Sequence, residues 1–289
     1  MTIELGQPDT GELDGIIAAL GEWQDDAGPV QLHPGDLGWL WRFGAAATAA
    51  ATRTWRRNGR LVAVGELDGH GLVRLAIAPD ARHDAALSQQ LAADLSDPGR
   101  GVLPEGVASV ELPPGAPVRE VLSAHGWVLD ESWALLRRNL IGPVGDPGVR
   151  IEVVGPERVH ERTGVQRAAF PGSVFTDERW QAMAIGPAYA DAQCLLAYDD
   201  LGVAVAAVTV WSAGPGRPGL LEPMGVHRDH RHQGYGRAVT VAAAAALQAM
   251  GSSSAIVCTS SSNEAGIATY RAAGFQPLTE RRDLRRDAG

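Results

Sequence analysis

The chain has 289 residues, long for one domain and comfortable for two, and its 45% apolar content can build real cores, which excludes a wholly disordered protein. Its net charge is −9 and all 25 basic residues are arginine, so no positive face is available to coat nucleic acid, while a cation such as an amine is electrostatically welcome. No apolar run suffices to cross a membrane, and the stretch Met1-Thr-Ile-Glu-Leu lacks the basic and apolar regions of a secretory signal.

Two cysteines, Cys194 and Cys258, cannot form a disulfide framework. They are expected to be buried, idle thiols in a reducing cytoplasm.

In chain order, residues 61–67 and 72–77 read as strands and 84–95 as a helix; 107–112 reads as a strand and 117–125 as a helix that ends at Gly126-Trp127. The Gly/Pro run Ile141-Gly-Pro-Val-Gly-Asp-Pro-Gly148 has no periodicity and reads as a linker. Beyond it, 149–154 is a strand, 156–170 and 175–185 are helices, and 193–199 and 203–211 are paired strands. A strand at 220–226 precedes the Ala-rich helix 236–250, which Gly251 stops; strand 255–259, helix 264–273 and a last strand from Phe275 follow.

The two halves share this grammar. Laying Ile77 on Val226 puts Arg82-His83 on Arg231-His232, and a shift of one residue puts Gly126-Trp127 on Gly274-Phe275. An internal duplication of one domain is the expectation.

The sharpest chemical signal is the turn Arg231-His-Gln-Gly234-Tyr-Gly236-Arg237, between a strand and a long helix. Unpaired backbone N–H groups and the positive helix end form an anion site there, which Gly234 and Gly236 let a diphosphate approach and which Arg231 and Arg237 flank with charge. A dinucleotide fingerprint fails because position 239 is Val239, and a Walker loop fails for want of lysine. His227, His230 and His232 lack a clustered carboxylate or cysteine that would complete a metal site, so no metal is expected. A second segment runs from Asn263, at a helix N-cap, through Tyr270 to Gly274-Phe275.

Together these motifs resemble the GNAT superfamily of N-acetyltransferases, whose signatures are Arg/Gln-x-x-Gly-x-Gly/Ala after the fourth strand and Asn, Tyr seven residues on, then Gly-Phe. The resemblance covers Val149 to about Asp283 well and the first half weakly; tandem arrangements of two such domains are similar to mycothiol synthase. It implies an α/β (α+β) chain of two tandem GNAT-like domains, each a mixed, mostly antiparallel sheet flanked by helices and split between its fourth and fifth strands. The catalytic domain would be 149–289 and a degenerate one 1–140.

The resemblance implies acetyl-CoA as co-substrate. Met224, Gly225 and Val226 would hold its pantetheine arm, Arg231, His232, Gln233, Gly234, Tyr235, Gly236 and Arg237 its diphosphate, and Asn263 would help from beside the split. Tyr270, with an unperturbed pKa near ~10, suits the acid that protonates a leaving thiolate. Glu222 shares a strand face with Met224 and is either the base, acting through water, or a structural ion pair.

In the first half Gly234 and Gly236 become Ala85 and Leu87, Asn263 becomes Gly115 and Tyr270 becomes Leu122, so that half is read as degenerate, with Leu87 obstructing the diphosphate. Trp39, Trp41 and Trp55 are expected in its core. The expected partner is a small-molecule primary amine, and the protein a monomer or homodimer. A protein or peptide acceptor, an amino sugar as in mycothiol synthesis, and a CoA-binding regulator without turnover stay open at this level.

Overall fold

The computed structural model describes residues 2–287; residues 1, 288 and 289, at the outer ends of the two expected domains, lie outside the described residues. The chain opens with β1 (Ile3–Gly6), α1 (Leu13–Glu22), α2 (Pro34–Leu40) and α3 (Ala45–Ala51). An antiparallel meander follows, made of β2 (Thr52–Arg57), β3 (Arg60–Asp68) and β4 (Leu72–Ile77). Then come α4 (Ala85–Ser96), β5 (Ala108–Glu111), α5 (Val118–Ala124) and the long β6 (Val128–Asn139).

The second series runs β7 (Arg150–Val153), α6 (Val159–Ala169), α7 (Asp177–Ala184), β8 (Ala192–Tyr198), β9 (Ala204–Trp211) and β10 (Gly219–Val226). It continues through α8 (Tyr235–Ala249), β11 (Ser254–Ser260), α9 (Glu264–Ala272), β12 (Gln276–Pro277) and β13 (Arg281–Arg286). No helix among the described residues is long and apolar enough to cross a membrane.

The chain folds as two compact units that interleave in sequence. One comprises Met1–His33, Ala45–Trp133 and Glu280–Gly289, the other Pro34–Gly44 and Ala134–Thr279. In the first unit the strands lie in the order β1-β2-β3-β4-β5-β13-β6. In the second, the C-terminal half of β6 is followed by β11, β10, β9, β8 and β7.

Three features therefore differ from the sequence expectation. The last strand breaks after Pro277, and β13 pairs with β5 and with the first half of β6, inside the first unit. The short α2, which carries Trp39, and the buried Trp41 just after it belong to the second unit rather than to the first. The run 141–148 is not where the compact units divide. Strand β6, charged at Asp130, Glu131, Arg137 and Arg138, has no clean apolar alternation, which is why its sequence did not announce it.

The duplication is visible in the hydrogen bonding of each unit. Strands β4 and β5 pair in parallel at Leu72–Arg74, and β10 and β11 at Gly219 and Leu220; the meanders β1–β2–β3–β4 and β7–β8–β9–β10 and the pairings of β13 with β5 and β6 are antiparallel. In both units the fourth and fifth strands thus pair only where the fourth begins, and in the second unit both then run on without pairing with each other. After helix α9, Phe275 N donates to Tyr270 O at 3.1 Å; after α5, Trp127 N donates to Leu122 O at 3.1 Å. Leu122 is confirmed as the counterpart of Tyr270, and it is fully buried.

The core of the second unit positions the site. Val239, Ala243 and Leu247 of α8 are completely buried against Val208 and Val210 of β9 and Ala255 and Val257 of β11. Val239 and Leu247 each contribute about 1.5–3 kcal/mol by burial, and the alanines between them let the helix lie close to the sheet. Gly251 and the bond from Ser252 N to Leu247 O close its end.

Candidate active site

Helix α8 starts in an unusual way. Its N-cap, Gly234, has φ +88° and no side chain caps the helix. Two residues earlier His232 also has positive φ, at +63°. A left-handed non-glycine residue costs about 1–3 kcal/mol, so the loop holds strain at this turn. The result is a helix N-terminus whose first-turn donors face outward with no protein acceptor built for them, the arrangement that suits an anion.

The first unit handles the equivalent turn differently. There the one-turn helix Pro79–Ala81 and Arg82-His83 match Arg228–His230 and Arg231-His232, but the loop is one residue shorter and the N-cap of α4 is Asp84. The structure therefore corrects the sequence overlay: Gly234 corresponds to Asp84 rather than Ala85, and Gly236 to Ala86 rather than Leu87, which is buried in the core.

The Asp84 carboxylate accepts from Leu87 N at 2.9 Å and from Arg57 at 2.5 Å. That arginine, with the backbone bond, holds its pKa down to about 2. In this unit the helix end already carries its own anion.

In the second unit a cleft of about 760 Å³ opens beside α8. It is lined by Met224, Gly225 and Val226 of β10, by Arg231, His232 and Gly234 of the loop, by Tyr235, Gly236 and Arg237 of the first turn of α8, and by Asn263 at the N-cap of α9 and Tyr270 within it. Of the expected site residues, Gln233 and Glu222 do not line it.

The sequence reading missed Phe170 and Ala169, at the end of α6, and His230, which also line the cleft. Gly225 carried the signal, because a Cβ there would sit 2.7 Å from both Ala169 Cβ and Phe170 Cε2.

Several side chains are engaged more locally than their sequence suggests. Arg231 donates to Ala169 O at 2.8 Å and Arg237 to Ala272 O at 3.1 Å, so each guanidinium tethers a helix C-terminus with part of its donor set. Asn263 accepts from Gly266 N at 3.0 Å and donates to Thr259 Oγ1 at 2.9 Å, capping α9. His227 accepts from Asp229 N, and its ring meets that of His230 edge-on.

Strand β10 shifts register between Leu221 and Met224, where Pro223 interrupts the ladder. Beyond it Met224, Gly225 and Val226 pair with β9 on one side, while the side towards β11 has no strand partner after Leu220. An open backbone edge towards β11 thus runs from Met224 to the α8 N-terminus.

Just before this edge Glu222 and Cys258 each lie two residues past the Leu220–Ile256 pair on their strands. Cys258 is half-buried, not buried as the sequence suggested, whereas Cys194 is fully buried and contacts Thr209. Tyr270 comes from α9. It is 6% exposed, its hydroxyl makes no hydrogen bond among the described residues, and it borders the cleft. Burial pushes its phenol above the usual tyrosine value, and the charges of Cys258 and then Glu222 push in the same direction.

An aromatic wall stands behind Glu222. Trp211 Nε1 donates to Glu222 O at 2.7 Å, and Tyr189 meets Trp211 and Trp180 edge-on at 6.0 and 5.9 Å. Gly35 and Gly38 of α2 press directly on the Trp211 indole.

Residues 163–275 match the model of the Acetyltransferase (GNAT) family. No functionally curated protein shows a significant sequence match. Solved structures with the same fold include a tandem GNAT protein from the clavulanic acid biosynthesis pathway, 17% identical with a TM-score of 0.60, covering 100% of this chain and 99% of that one. A GCN5-related N-acetyltransferase from Sphaerobacter thermophilus is 18% identical with a TM-score of 0.59, over 99% of this chain and 96% of that one. A GNAT-family acetyltransferase from Colwellia psychrerythraea is 18% identical with a TM-score of 0.60, over 98% of each chain. Residues 163–275 thus carry the match to the GNAT acetyltransferase family, and the chain as a whole has the fold of tandem GNAT proteins.

Proposed function

We propose that this protein transfers an acetyl group from acetyl-CoA to a primary amine of a small molecule, in the cleft of its second unit. The observation that carries the reading is the uncapped N-terminus of α8, set at one end of an open β10 edge whose other end meets the unpaired Tyr270 hydroxyl. An anion site, a strip of free backbone and a proton donor in that order suit a diphosphate, a pantetheine arm and a thioester. The matching helix end in the first unit carries Asp84, which supports one catalytic unit, within residues 134–279, and one degenerate unit.

When bound, acetyl-CoA supplies a thioester carbonyl open to a neutral amine, with sulfur as the leaving atom. The first-turn N–H groups of α8 receive the diphosphate, with His232, Gln233 and the spare donors of Arg231 and Arg237 around it. Met224, Gly225 and Val226 offer ladder-type hydrogen bonds to the arm, and one of their N–H groups polarises the carbonyl oxygen. Asn263 holds α9 in place, and with it the Tyr270 hydroxyl, which delivers a proton to sulfur. Its raised pKa keeps the phenol protonated across the physiological range. Glu222 draws the proton from the incoming ammonium through water, and the Trp211 wall behind it favours a compact acceptor over an extended peptide.

The test is thiol release from acetyl-CoA against a panel of amines: cysteinyl sugars, polyamines, aminoglycosides and peptides. Turnover with a small amine is expected, and Glu222→Gln removes the rising limb of its pH–rate profile. Acetylation of peptides alone would overturn the acceptor assignment, and CoA binding without turnover of any amine would favour a regulator.

A further inference from the structure

We infer that Cys258 is a site of covalent modification by the cofactor's own thiol, taken up from CoA disulfide. The inference rests on the CoA reading above. Cys258 stands on β11 two residues beyond Ile256, the last residue of that strand to pair with β10, and Glu222 is likewise two residues beyond Leu220 on β10. Its side chain is partly exposed, where Cys194 is sealed in the core.

A second observation points to a ligand at the same place. Tyr270 is nine-tenths buried, makes no hydrogen bond through its hydroxyl and borders the cleft. A phenol in that state awaits a partner brought by something bound. The proposed partner is the cofactor sulfur. Cys258 is the group whose charge bears most on that phenol, ahead of Glu222. The phenol that faces the cofactor sulfur in the reading above is thus within electrostatic reach of Cys258.

Such proximity favours thiol–disulfide exchange. The Cys258 thiolate attacks one sulfur of CoA disulfide and the ligand's S–S bond breaks. A Cys258–CoA disulfide forms, and the second CoA leaves as a thiolate that takes up the proton Cys258 lost. No external oxidant is consumed. The adduct fills the split, so acetyl transfer stops until a reductant restores the thiol.

The experiment incubates the full chain with CoA disulfide and, separately, with glutathione disulfide, and follows intact mass and the modified peptide. One CoA adduct per chain is expected, on the peptide bearing Cys258 and not on that bearing Cys194. It should form at least roughly tenfold faster than the glutathione adduct, as an effective-concentration advantage requires. Saturating acetyl-CoA should slow it, dithiothreitol should reverse it, and Cys258→Ser should show none. Equal rates with both disulfides, or no adduct on Cys258 in a wild-type chain that binds CoA by calorimetry, would overturn the inference. Absence of CoA binding would overturn the donor reading itself, and this inference with it.

Discussion

Adding one methyl group at Gly225 tests how the cleft is built. In Gly225→Ala the new Cβ lies 2.7 Å from Ala169 Cβ and 2.7 Å from Phe170 Cε2, well inside contact distance. The two neighbours respond differently. The Phe170 ring is 36% exposed and can swing towards solvent. Ala169 is buried and its Cβ is fixed to the α6 backbone, so β10 must move away from the end of α6.

That movement pulls on Arg228 and Arg231, whose guanidinium groups hold the carbonyls of Ala168 and Ala169. Overpacking of this kind costs about 1–3 kcal/mol. If about 1.4 kcal/mol of it falls on the cofactor edge, CoA affinity drops roughly tenfold. Denaturant unfolding reads the first quantity and calorimetry with CoA the second. Phe170→Ala in the same chain should recover part of the stability but not all, because Ala169 remains. A Gly225→Ala protein within about 0.5 kcal/mol of wild type, with unchanged CoA affinity, would refute the packing argument.

Other expectations follow from single features of the two units. Tyr270→Phe should bind CoA almost as wild type yet lower kcat by roughly 10²–10⁴-fold, and in wild type the acid's falling limb should lie above pH ~10. Calorimetry should give about one CoA per chain, and Gly234→Leu, which places a side chain at φ +88°, should abolish it; two equivalent sites would contradict the reading of Asp84. Asp84→Ala should cost about 0.5–2 kcal/mol at neutral pH as a lost N-cap. The folded carboxyl titrates at about 2, below its ordinary value, so this stability is complete above the unfolded pKa and should fade as pH falls from about 4 towards 2. A fragment starting at residue 149 should not fold, since it lacks Ala134–Asn139 and the α2 segment that covers Trp211; a soluble, CoA-binding fragment would refute this.

Much of the second unit was legible in its residues alone. The turn Arg231–Gly236, the Ala-rich α8 and the Asn263–Tyr270–Gly274 spacing are local, since a phosphate loop, a helix and a C-cap are each set by neighbours a few positions apart. The same locality exposed the duplication, through Arg82-His83 and the Gly-aromatic pair after α5. It failed by one residue at Asp84, because a cap depends on where the helix starts rather than on a fixed count along the chain.

Only the tertiary structure decided what joins elements distant in sequence. Strand β13 completes the first unit, and α2 buries Trp211 in the second, pairings set by where apolar faces and open strand edges meet rather than by any local pattern. The half-exposed place of Cys258 follows in the same way. It depends on where β10 and β11 stop pairing, beside the register shift in β10.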